Sequence, residues 1–128
     1  MSLPDLEILK PLVKTAAEEI LLKDFGNSDF ECKDDGSVVT PADFAMQDRL
    51  VRELKQLWPE FDILGEEMTE DEQMSVINRE AGYWCIDPLD GTTNYAAGLP
   101  FFSVSIALIL NRQQEIGLIY DPVRDEMF

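Results

Sequence analysis

Apolar residues recur at helical spacing from residue 6 to about residue 22, at Leu6, Leu9, Val13, Ala16 or Ala17, and Ile20, which predicts one face of an amphipathic helix. Pro11 within this run either kinks the helix or marks its true start. A second helix is predicted to open at Thr40 and Pro41, with a hydroxyl available as N-cap and proline at the first helical position, where its missing N–H costs nothing. It runs until Pro59 and carries Met46, Leu50, Leu54 and Leu57 on its apolar stripe. A third, short helix is predicted over residues 70–78. Strands are predicted over residues 83–86, 102–110 and 116–120, the last two joined by a tight connection at residues 111–114, and Met127 and Phe128 read as a further strand paired with residues 116–120. A tight connection joins antiparallel neighbours, so the expected class is α+β: long helices packed on one side of a largely antiparallel sheet, not a doubly wound parallel one.

Two of the apolar runs end in acid. Phe61, Ile63 and Leu64 lead into Gly65, Glu66 and Glu67, and Tyr83 to Ile86 deliver Asp87, with Pro88 stiffening a turn that brings Asp90 back toward the same point. Two strands ending in carboxylates suggest one shared cation. Glu66, Asp87, Asp90 and an exposed turn carbonyl form a ligand set suited to a hard ion such as magnesium. Gly91, Thr92 and Thr93 then read as the opening of a short helix, whose N–H groups and dipole suit an oxyanion such as phosphate. The plainer alternative is a polar turn between strands, since Asp, Pro and Gly are the commonest turn formers. Asp43, in the first turn of the second helix, likewise has a purely structural explanation in the helix dipole.

Charge narrows the partners. With 26 acids against 10 bases the formal net charge is −16, and such a field repels nucleic-acid phosphate and anionic lipid headgroups. A phosphorylated substrate fits only if cations held by the acidic cluster reverse the local sign. Residues 66–72 hold five acids, which read as a solvated face with a role for Glu66 alone. The chain has no histidine, which excludes a Ser/His/Asp triad, and it has neither a GxxxxGK[ST] loop nor a GxGxxG after a strand. Cys32 and Cys85 are spaced for neither zinc nor a disulfide framework and read as free thiols. With no leader-like or membrane-spanning segment, a soluble cytoplasmic protein is expected, and 128 residues at 45% hydrophobic make one domain.

Three motifs in order carry a resemblance: KDDGSVVTPAD at residues 33–43, GEE at 65–67 and DPLDGTTN at 87–94. Together with FFSVSIAL at residues 101–108 and the ending GLIYDPVRDEMF, the chain resembles the inositol monophosphatase family of magnesium-dependent, lithium-sensitive sugar phosphatases. The resemblance covers the whole chain and implies the N-terminal half of a layered α/β sugar-phosphatase fold, residues 1–128 being its single metal-binding portion. Family members are about twice as long, and their second half carries a Trp-Asp motif that supplies a further metal-binding aspartate and most sugar-binding side chains. The expectation is therefore a fragment, with one sheet edge or face exposed and prone to self-association.

The resemblance implies the roles. Glu66, Asp87 and the backbone carbonyl of Leu89 hold a first magnesium, and Asp87 and Asp90 share a second that lacks one ligand here. Two or three ions are implied, with manganese a substitute. Glu66 and the Thr92 hydroxyl orient the attacking water, Asp43 hydrogen-bonds Thr92, and Gly91 and Thr92 offer N–H groups to the phosphate, glycine allowing close approach. Lys33 steadies an outer water or the loop, and Glu67 is structural or outer-shell. The implied activity is hydrolysis of a small sugar phosphate monoester, inositol-1-phosphate first, by a homodimer. The alternatives are fructose-1,6-bisphosphatase or phosphoadenosine phosphate phosphatase activity, or a non-catalytic acidic metal-binding or interaction fragment.

Overall fold

The computed structural model describes residues 3–27, 30–65, 68–78 and 82–128. Helix α1 (Leu6–Ala16) is capped by Asp5, whose carboxylate accepts the Glu7 N–H at 2.9 Å. Pro11 lies inside this helix and does not start it, removing an N–H that would otherwise bond the Glu7 carbonyl. The helix continues as a π-helical stretch, Ala17–Leu22. Its wider winding rotates Leu21 into the apolar face beside Leu9, Val13, Ala16 and Ala17. Ile20, expected on that stripe, is only half-buried, and Leu6 is exposed.

A two-stranded ribbon follows, β1 (Glu31–Cys32) against β2 (Val38–Val39). Helix α2 (Pro41–Leu57) begins at Pro41 as the sequence predicts and buries Met46, Leu50 and Leu54. Leu57 is exposed; the next residue, Trp58, packs on Trp84 with ring centroids 5.6 Å apart. Then come β3 (Asp62–Gly65), α3 (Glu70–Ile77), β4 (Tyr83–Asp90), α4 (Thr92–Ala96), β5 (Ser103–Leu110), β6 (Gln113–Asp121) and β7 (Glu126–Met127). The main sheet runs β3-β4-β5-β6-β7. Strand β3 is parallel to β4, with α3 as the crossover, and every other pairing is antiparallel. The α+β expectation of helices on a largely antiparallel sheet therefore holds.

Alternation within the strands decides what faces the helices. Trp84 and Ile86 of β4, Val104, Ile106 and Leu108 of β5, and Ile116, Leu118 and Tyr120 of β6 are buried with the apolar faces of α1 and α2 in one core. The intervening Cys85, Gly117 and Ile119 are exposed, and both cysteines are free thiols. The β5–β6 connection puts Asn111 and Arg112 at φ 51° and 63°. Paired left-handed residues give the twist that antiparallel strands need across a two-residue loop. Phe128 and Ile119 exchange backbone hydrogen bonds of 2.8 and 3.0 Å, extending the β6–β7 pairing to the last residue. Among the described residues no helix is long and apolar enough to cross a membrane.

The β6–β7 turn is tied to α1. The Tyr120 hydroxyl donates to Asp125 Oδ1 at 2.7 Å, and Lys14 Nζ donates to Asp125 Oδ2 at 3.3 Å. Burial, followed by the hydrogen bond to Asp125, pushes the Tyr120 phenol well above its ordinary value of 10.0. The unfolded chain therefore ionises this group first, so its contribution is complete below pH 10 and is lost as pH rises beyond that. In urea unfolding compared at about pH 9 and about pH 11, the loss of stability is expected to be smaller in Tyr120→Phe than in the parent chain. An equal loss in both would show that this phenol does not titrate with unfolding.

Candidate metal and phosphate site

The DPLD segment is not a turn after a strand, as the sequence suggested, but the continuation of β4 as far as Asp90. Asp87 pairs with Ser105 and Asp90 with Ser103, so three steps on β4 match two on β5. That is a β-bulge, and it inserts one residue at Pro88–Leu89. Side chains three apart on a regular strand point to opposite faces. The extra residue returns Asp90 to the side of Asp87, and both border one cavity of about 270 Å³. Pro88 and Leu89 are buried beneath it.

Gly91 follows at φ +92°, in the left-handed region, and opens α4. The sequence assigned glycine here to close approach by phosphate. The structure adds a stricter reason: a Cβ would lie 2.7 Å from the Phe101 carbonyl oxygen and 3.3 Å from Phe102 Cα. Only glycine lets the bulged strand turn into α4 while β5 begins alongside.

Thr92, the first residue of α4, has its hydroxyl 2.9 Å from Asp43 Oδ1 and 3.0 Å from the Leu89 carbonyl oxygen. One proton serves two acceptors, and the carboxylate is the stronger. Asp43 Oδ2 accepts the Thr40 N–H at 2.8 Å and the Thr40 hydroxyl at 2.7 Å. The Thr40 hydroxyl, expected at the N-cap, closes a capping box with Asp43 and also donates to its carboxylate. Capping and site contact proved not to be alternatives for Asp43, because its two oxygens divide them. The carboxylate is 5% exposed, and a buried charge of this kind is tolerable only with such hydrogen bonding.

Lys33 borders the same cavity, together with Ser37, Val38, Thr93 and Asn94. The lysine loop is a closed turn: the Lys33 N–H donates to the Ser37 carbonyl at 2.7 Å and the Gly36 N–H to the Lys33 carbonyl at 2.9 Å. Hydrogen bonds from the Ser37 hydroxyl and then the Ser37 N–H hold the Asp35 carboxyl below its ordinary value. Asn94 also lines the cavity, while its amide donates to the Phe101 carbonyl at 3.0 Å. It closes the DPLDGTTN motif, and its place at the cavity follows from the length of α4.

Glu66 and Glu67 lie outside the described residues. The last described residue of β3, Gly65, pairs with Ile86, one position before Asp87. Among the described residues no three acidic side chains form a cage for an ion. Asp87 and Asp90, the Leu89 carbonyl and the Thr92 hydroxyl are nonetheless all oxygen donors around one polar cavity, the chemistry a hard divalent cation prefers. Partial burial, and after it the Asp87 charge, push the Cys85 thiol above its ordinary 9.0.

The α+β domain thus gathers carboxylates at a strand bulge, beside a helix that opens at glycine and threonine. The family model described as "Inositol monophosphatase family" matches residues 4–128, and the chain belongs to that family. It is 36% identical over 111 residues to the inositol monophosphatase of Dictyostelium discoideum, covering 85% of this chain and 40% of that protein. It is 38% identical over 98 residues to the Nus factor SuhB of Pasteurella multocida, covering 75% of this chain and 34% of that one. Among solved structures, the IMPase of Thermotoga maritima superposes with a TM-score of 0.83 at 29% identity, covering 95% of this chain and 46% of its own. The chain thus spans less than half the length of these relatives.

Gly91→Ala is expected to destabilise the fold by more than the roughly 1–3 kcal/mol of left-handed strain alone. Gly98, at φ +77° with nothing within 4 Å of where a Cβ would stand, isolates the strain. Urea midpoints should therefore fall further for Gly91→Ala than for Gly98→Ala; equal shifts would refute the close approach to Phe101.

Proposed function

We propose that this chain is the metal-binding, amino-terminal portion of a magnesium-dependent phosphatase that hydrolyses a small sugar phosphate monoester, inositol-1-phosphate being the first candidate. The observation that carries this reading is the bulge at Pro88–Leu89, which turns Asp87 and Asp90 onto one cavity beside a Thr92 hydroxyl held by Asp43. Glu66, Asp87, Asp90 and the Leu89 carbonyl would hold the ions, two or three in number, with manganese a substitute for magnesium. Such ions, when bound, activate water and neutralise charge on the phosphoryl oxygens.

The chain's own groups do the rest. By donating its proton to Asp43, Thr92 leaves its oxygen lone pairs to accept from an attacking water and fix its direction. Glu66 takes part in orienting that water. The first turn of α4, at Gly91 and Thr92, binds phosphate through backbone N–H groups. Lys33 steadies an outer water or the loop, and Glu67 is structural or outer-shell. The further half that longer relatives possess would supply the remaining metal ligand and the side chains that read the sugar. The working form in this reading is a cytoplasmic, lithium-sensitive homodimer.

The test is phosphate release from inositol-1-phosphate by the 128-residue chain with and without magnesium. Turnover that needs magnesium and is lost in Asp90→Asn is expected if a second copy completes the site. If the chain alone is silent, the same assay on a length matching the relatives decides the matter, and silence there would remove the phosphatase reading. In an active form, Thr92→Ala is expected to lower turnover by about 10²–10⁴-fold while leaving most magnesium affinity, measured by calorimetry, intact. Equal loss of both would sink the water-orienting role.

A further inference from the structure

Helix α4 is five residues long, too short to hold an orientation by its own hydrogen bonds. Its anchor is Tyr95. The ring is fully buried, with centroids 5.6 Å from Phe25 and 4.9 Å from Phe102, and the hydroxyl donates to the Leu21 carbonyl at 2.8 Å across 74 residues of sequence. Leu21 belongs to the π-helical stretch Ala17–Leu22. Such winding is rare and concentrates at functional sites. Here it turns Leu21 inward and sets its carbonyl against α4.

The same stretch is held from its other side by α2. The Arg49 guanidinium reaches Glu19 at 3.0 Å while bonding Glu53 of its own helix at 2.8 Å. Helix α2 presents Asp43 from its first turn, and α4 presents Thr92 from its first position. The π-helical stretch therefore touches both helices whose opening residues meet at 2.9 Å, closing a ring of contacts from α2 through the stretch to α4 and back. The Glu19 side chain is 57% exposed, so that ion pair contributes little, whereas the buried Tyr95 bond is the stronger link.

We propose that the π-helical stretch is a brace that fixes Thr92 against Asp43, with Tyr95 as the positioning residue that transmits it. The consequence for ion and water placement rests on the phosphatase reading above; the brace itself does not. A shift of about 1 Å in a group that orients a nucleophile can cost about 10²-fold in rate, which gives the brace its purpose.

Tyr95→Phe keeps the ring and deletes only the hydroxyl. Residue-resolved amide hydrogen exchange on the 128-residue chain, together with Mn²⁺ titration by electron paramagnetic resonance, compares it with the parent and with Asp90→Asn. Amides of α4 and of the π-helical stretch are expected to exchange about five- to tenfold faster, the size of one buried hydrogen bond, with those of β5 unchanged and Mn²⁺ bound more weakly by a folded protein. Uniform acceleration of all amides would make Tyr95 a contributor to global stability only and overturn the brace, as would unchanged exchange in α4. Faster exchange in α4 with parent-like Mn²⁺ binding would overturn its service to the ion site. If Asp90→Asn binds Mn²⁺ like the parent, the metal-site reading fails, and exchange in α4 still decides the brace.

Discussion

A single buried carboxylate joins the elements on which the site depends. Asp43 spends one oxygen on the N–H and hydroxyl of Thr40, which starts α2, and the other on the hydroxyl of Thr92, which starts α4. A charge 5% exposed is costly unless its lone pairs are used, so each partner is enforced by the burial of the others. The beginnings of two helices far apart in sequence are thereby fixed to one point, and the cavity is whatever lies beside it.

The sheet meets that point by departing from regularity. A strand alternates its faces without exception until a residue is inserted, and the bulge at Pro88–Leu89 is what lets Asp87 and Asp90 share a cavity. Pro88 suits the place because it has no N–H to lose from the ladder. Gly91 then takes a left-handed conformation against the backbone of Phe101 and Phe102. From Val104 to Leu108 and from Ile116 to Tyr120, β5 and β6 keep the alternation that fills the core, and a second register shift falls after Leu108. Irregular backbone at the end of β4 thus brings Asp87 and Asp90 onto the cavity.

Electrostatics runs in the same direction at two scales. The whole chain bears a formal charge of −16, and the cavity adds Asp43, Asp87 and Asp90 with Lys33 at its rim. Like charges brought together cost stability, which a cation bound to the folded state would recover. In the phosphatase reading, such an ion would also let a phosphate monoester approach an otherwise repulsive surface, because the ion would dominate the field at close range.

The chain's own residues made much of this legible. Helical periodicity marked α1, α2 and α3, the apolar runs marked the strands of the main sheet but not the β1–β2 ribbon, and residues 111–114 marked the hairpin, because each is a local property of side-chain spacing or backbone preference. The motif residues 87–94 likewise marked a group of oxygen-bearing side chains and a helix start. Other features were decided only in three dimensions. The π-helical winding that buries Leu21 in preference to Ile20, the exposure of Leu57, the bulge beneath Asp87 and Asp90, and the double duty of Asp43 all depend on what lies opposite each residue. Spacing along a chain states which residues can share a face; only the packing of α1, α2 and α4 against the sheet determines which face is buried and which oxygens meet.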